Sequence, residues 1–111
     1  MIIRKIADVA VEGVSHYPEI NKQVFIKNGT IQHITNVSKA TFMPGQKTVV
    51  HSHRDMTEVM YVLRGTITFE IDGKTVVATS GTTIVIEPKE MHSLHNDSST
   101  NVELFYFGCT D

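Results

Sequence analysis

Thr66-Ile67-Thr68-Phe69-Glu70-Ile71, then Asp72-Gly73, then Lys74-Thr75-Val76-Val77-Ala78, is the stretch that decides the fold class. Side chains alternate between faces along a strand, so Ile67, Phe69 and Ile71 share one face and Thr66, Thr68 and Glu70 the other. Asp-Gly between two strand-forming runs predicts a hairpin. A type I′ turn needs positive φ at both central residues, and these two residue types accept it.

Outward from this hairpin, short β-branched and aromatic runs recur from about residue 24 onward, separated by Gly, Pro, Asn and Asp. They predict further strands at 31–42, 48–53, 59–63, 82–86, 92–96 and 102–107, with turns at Pro44-Gly45 and Asn96-Asp97-Ser98-Ser99. Helix signals are nearly absent. So many short strands in 111 residues must close on themselves or stack, because open edges invite aggregation. The expectation is an all-β chain, one jelly-roll barrel in a single domain over residues 1–111. Barrels of this kind pair edge strands across a dimer, so a homodimer is expected.

Composition narrows the function. The chain is 41% hydrophobic and 20% charged, with a formal charge of −2, as in an ordinary globular protein. Lys and Arg are scattered singly, which argues against nucleic acid as a partner. No apolar run approaches the roughly 20 residues of a membrane span. The N-terminal run is broken by Asp8 and Glu12, unlike a secretory leader. Cys109 is the lone cysteine, so no intrachain disulfide can form, and a reducing, cytoplasmic location is expected. As the third-last residue, Cys109 is a poor candidate for a nucleophile.

Chemistry concentrates between Gly45 and Gly65. His51 and His53 are two apart on an expected strand, so both imidazoles leave the same face. Glu58 follows five residues later, far enough for a turn and a return on the next strand. His92 comes after the hairpin and a further strand. Three imidazoles and one carboxylate converging from adjacent strands suit a single divalent transition ion (Fe, Mn, Ni, Co, Zn or Cu) better than Ca or Mg. The alternative is that His51, His53 and Glu58 are surface polars on an exposed strand face and His92 a satisfied core histidine. Met60 and Val62 share the parity of Glu58 and are expected to line a pocket beside it. His95 is of opposite parity to His92 and is expected to face away. His16 is read as structural or exposed, and His33 could either line the pocket or face solvent.

The stretch Gly45-(X)5-His51-X-His53-(X)4-Glu58-(X)6-Gly65 resembles the first cupin motif at every fixed position. On composition alone such a match arises by chance with a probability on the order of 10^-4. Gly81, His92 and Asn96 fit the second cupin motif, which departs where Glu87 stands for a proline and Lys89 for a glycine. The resemblance covers about residues 31–107. It implies a double-stranded β-helix around a metal held by His51, His53, Glu58 and His92, without implying one reaction. The leading expectation is a metal-dependent enzyme on a small oxygen-rich organic molecule, dioxygenase-like in the manner of quercetinases, with Glu58 as ligand and general base. A non-enzymatic small-molecule binding or sensing barrel is the alternative. A sugar or sugar-phosphate isomerase, with Arg54, Arg64 and Lys47 meeting an anionic group, ranks third.

Overall fold

Alternating burial organises the chain. In a computed structural model that describes residues 1–111, β3 (Val37–Phe42), β4 (Met56–Arg64), β5 (Thr66–Ile71) and β8 (His92–His95) each turn every second side chain inward. The remaining strands are β1 (Val11–Val14), β2 (Tyr17–Ile26), β6 (Lys74–Thr79), β7 (Thr83–Ile86) and β9 (Val102–Thr110), preceded by a single 3-10 turn at Ile6–Asp8. No helix is long and apolar enough to cross a membrane.

The strands form two antiparallel sheets, a six-stranded one in the order β1-β2-β3-β9-β4-β7 and a three-stranded one in the order β6-β5-β8. These are the two walls of a jelly-roll barrel. Between them lie Ile20, Phe42, Val62, Ile67, Phe69 and Leu104, all at most 4% exposed. Burying side chains of this size contributes roughly 1.5–3 kcal/mol each.

The β5–β6 hairpin forms as its sequence predicts. Ile71 faces Lys74 across the turn, Asp72 and Gly73 adopt φ of 48° and 79°, and Ile67 and Phe69 are buried.

Elsewhere the strands differ from expectation. The run expected at 31–42 is a strand only from Val37, because residues 31–33 turn and touch the sheet through one bridge, Ile34 to Cys109. His33 therefore sits in a turn at φ 68°, exposed to solvent. The expected strand 48–53 is an extended edge held by two isolated bridges, Lys47–His95 and His51–His92. Between them Thr48, Val49 and Val50 oppose only Ser93 and Leu94, a bulge that breaks the ladder. The Thr48 hydroxyl accepts the Leu94 amide at 3.0 Å and replaces a lost ladder bond.

The strands β1 and β2 lie outside the sequence reading altogether. Ile20 and Val24 are buried on the inward face of β2, but Lys22 stands between them and interrupts the apolar alternation. Pro18 further obscures the start of that strand.

Candidate metal centre

The four candidate ligands come from three places in the fold. Glu58 lies on β4 with Met60 and Val62 on the same inward face, and is 9% exposed. His92 opens β8 and is fully enclosed. His51 and His53 lie on the extended edge that bridges to β8.

Backbone bonds hold this edge in place. The His51 and His92 amides each donate to the other residue's carbonyl, at 2.9 and 2.8 Å. The Lys89 amide donates to the His53 carbonyl at 2.6 Å. Lys89 occupies the glycine position of the motif and takes the left-handed conformation that glycine would supply, at φ 71°. The loop keeps its shape despite the substitution, at a cost in backbone strain.

The imidazoles of His51, His53 and His92 present ligand atoms that all lie within 4.8 Å of one another. Their ring centroids are 4.2 Å apart for His51–His92 and 5.2 Å for each of the other pairs. Glu58 Oε1 stands 3.8 Å from His53 Nε2 and 3.7 Å from His92 Nε2, too far for good hydrogen bonds.

The Nδ1 atoms of His51 and His92 lie 2.9 and 3.0 Å from the carbonyls of Val49 and Glu90. A carbonyl partner assigns the proton to Nδ1 and leaves the lone pair on Nε2. The buried Nε2 atoms of His53 and His92 have no hydrogen-bond partner in the chain. Burying such atoms unpaired is costly, and a coordinated cation would satisfy them. These residues fit a divalent transition ion, three nitrogens and one carboxylate oxygen being the donor set that such ions favour.

Electrostatics separates the two buried histidines. Burial depresses the pKa of His53, and the neighbouring His92 and His51 add to that, against the pull of Glu58. Burial also works against a charged His92, but the Glu58 carboxylate and the Glu90 carbonyl outweigh it, and the His92 pKa is raised.

Beside the ligands lies a cavity of about 730 Å³, walled by His51, His53 and Glu58 and by apolar residues that include Phe42, Met56, Met60 and Leu104. That volume suits a small organic ligand. Met60 lines it. Val62, expected there on parity, is instead fully buried in the core, because two residues further along β4 the barrel is already closed by packed side chains. His95 is on the opposite face of β8 from His92 and off the cavity wall. Arg54, Arg64 and Lys47 are exposed and none of them lines the cavity.

Several wall residues were not singled out from the sequence. Val14 and Tyr17 arrive with the unrecognised β1–β2 turn, and Lys22 with β2, while His16, read from the sequence as structural or exposed, is solvent-exposed and also lines the wall. Tyr106 on β9 also lines the wall. Burial pushes its phenol up to about 12, with the negative Glu58 and Glu12 adding and its cross-strand neighbour Ser38 offsetting part. The inward alternation Val102, Leu104, Tyr106 was the signal available for that residue.

The cupin-domain family model matches residues 38–108, which spans β3 to β9 and all four candidate ligands. The chain belongs to the cupin family. A search of curated proteins finds none with a matching sequence. Solved cupin-like structures superpose closely at low identity. A predicted oxalate decarboxylase from Thermotoga maritima matches with TM-score 0.90 and 18% identity, over 99% of this chain and 100% of that one. The polyketide cyclase RemF from Streptomyces resistomycificus matches with TM-score 0.85 and 19% identity, over 100% and 80%. A sugar phosphate isomerase from Silicibacter pomeroyi matches with TM-score 0.83 and 15% identity, over 96% and 74%. At these identities the likeness shows the cupin fold, and fold alone does not select a reaction.

Proposed function

We propose that this cupin is a metal-dependent enzyme that oxygenates a small, oxygen-rich organic molecule such as an enol or catechol. His51, His53, His92 and Glu58 would hold one divalent transition ion (Fe, Mn, Ni, Co, Zn or Cu). The observation that carries the reading is the convergence of three imidazoles beside a ligand-sized cavity, two of them with orphaned buried Nε2 atoms that lie 3.8 and 3.7 Å from the Glu58 carboxylate. A bound ion supplies Lewis acidity and open coordination positions.

The protein's own groups do the rest. Glu58, the one carboxylate on the cavity wall, is placed to take a proton from a substrate hydroxyl. Tyr106, whose phenol stays neutral, can donate a hydrogen bond to a substrate oxygen. Met60, Phe42 and Leu104 shed water from the substrate's apolar body.

Metal content per chain, measured by plasma mass spectrometry on protein purified without chelators, tests the site. Oxygen uptake by loaded protein against enols and catechols tests the reaction. About one equivalent of metal with uptake is expected; metal without any uptake would remove the oxygenase assignment.

A second reading is a non-enzymatic sensing barrel. It draws support from the position of Glu58, 3.8 and 3.7 Å from His53 and His92 Nε2, where a bound ion would hold its carboxylate as a ligand and leave no other carboxylate on the wall. Ligand-induced stabilisation without turnover is its mark. The isomerase reading loses its anion-binding groups, since Arg54, Arg64 and Lys47 face solvent. The proposal includes a cytoplasmic location, supported by the single thiol, and a homodimer. Val11 on edge strand β1 and Val85 on edge strand β7 are exposed apolar residues available to pair.

A further inference from the structure

Lys22 is the one lysine or arginine on the wall of the cavity. Its side chain is only 11% exposed, and in sequence it lies between the buried Ile20 and Val24. Its neighbour across the β2–β3 ladder is Ala40, and Ala40 in turn faces Leu104 on β9, so its paired neighbours on the β3 side of that wall are small or apolar.

The charged partner of Lys22 is Glu12, its cross-strand neighbour on edge strand β1, with Oε1 at 4.0 Å. That is the outer limit of an ion pair, and Glu12 is 53% exposed. A contact this long, half in water, contributes little. An ammonium group in a largely apolar cavity is costly unless an anion meets it closely. The other fixed charge on the wall, Glu58, lies among the candidate metal ligands, 3.8 and 3.7 Å from His53 and His92 Nε2.

We infer that Lys22 is a specificity-determining residue, and that the substrate taken by the cavity carries, beside its metal-facing oxygens and on an apolar body, a single carboxylate, which pairs with the Lys22 ammonium. One ammonium matches a monoanion. A phosphate dianion would call for the multiple basic or bidentate groups that recognise phosphate, and the wall has no arginine and no second lysine. The inference rests on reading the cavity as the substrate site. It does not require the metal to be present for the carboxylate to be recognised.

The test compares binding of 3-phenylpropionate with that of its neutral amide by calorimetry and NMR at millimolar probe concentrations. It uses the protein as purified and the same protein stripped of metal. Wild type should prefer the carboxylate by about tenfold or more, the scale of a charge-assisted hydrogen bond. Lys22→Met should lose the preference and Lys22→Arg should retain it, with metal content unchanged in both.

No carboxylate preference in wild type, no binding of the carboxylate at all, or an undiminished preference in Lys22→Met would each overturn the inference. If Lys22→Met does not fold, Lys22→Gln carries the test. It keeps a polar side chain without the charge and should lose the preference for 3-phenylpropionate over its amide, and an undiminished preference overturns the proposal. A carboxylate preference in protein that takes up no metal would uphold Lys22 while removing the metal reading. Metal uptake without the preference would do the reverse.

Discussion

His51 and His92 are locked to one another by a reciprocal pair of backbone hydrogen bonds, 2.9 and 2.8 Å, which sets their imidazoles 4.2 Å apart. The spacing of two of the candidate ligands is therefore a property of the main chain. Removing one imidazole leaves the bridge intact.

His51→Ala and His53→Ala should keep the fold and lose metal affinity by more than about a hundredfold, since losing a direct ligand exceeds the 10–100-fold typical of outer-shell changes. Metal content with circular dichroism reads both effects. His92→Ala should lose metal and also stability, because its side chain is fully enclosed and its removal opens a cavity. His33→Ala, in an exposed turn, is the control and should change neither.

Glu58→Gln keeps the shape of the side chain and removes its charge. His92 owes its raised pKa in part to Glu58, so the variant should bring the His92 transition down in a histidine NMR titration of metal-free protein. The sign for stability follows. A raised folded-state value makes the stability contribution of the pair whole below the ordinary histidine value of about 6.5, and lost as pH rises through the higher value in the fold. His53, with its lowered pKa, works in the opposite direction. A His92 transition that does not move in Glu58→Gln would show that the carboxylate is not what holds the proton there.

How much of this was legible in the sequence depended on how regular the local chemistry was. The β5–β6 hairpin could be read residue by residue, because alternation and turn chemistry agreed. The cupin motif placed His51, His53, Glu58 and His92 on adjoining segments, although the segment carrying two of them is a bulged edge and not the strand expected at 48–53. The β1–β2 wall was hidden by Lys22, an inward charge that makes β2 look like no half-buried strand. Parity alone put Val62 on the cavity wall, and it could not tell where along β4 the cavity ends and the core begins.

Lys89 offers a direct test of the departure from the motif. A non-glycine residue at φ 71° carries a left-handed cost of roughly 1–2 kcal/mol, and glycine gives back part of the difference in chain entropy. Lys89→Gly should raise stability by about 0.5–1 kcal/mol in denaturant unfolding, with the Lys89–His53 backbone bond kept. A loss of stability would mean that the lysine side chain contributes more than its backbone costs.

Tyr106 gives the most direct check on the interior of the cavity. The chain has three tyrosines, and one of them should titrate near 12 in an absorbance titration at high pH. Tyr106→Phe should abolish that late transition. In the folded chain the phenol keeps its proton after the unfolded chain has lost it. Stability should therefore fall as pH rises from about 10 toward 12, by up to about 3 kcal/mol, and the fall should be smaller in Tyr106→Phe. A late transition that survives the substitution would place the buried phenol elsewhere, and with it the hydrogen-bond donor assigned to the substrate.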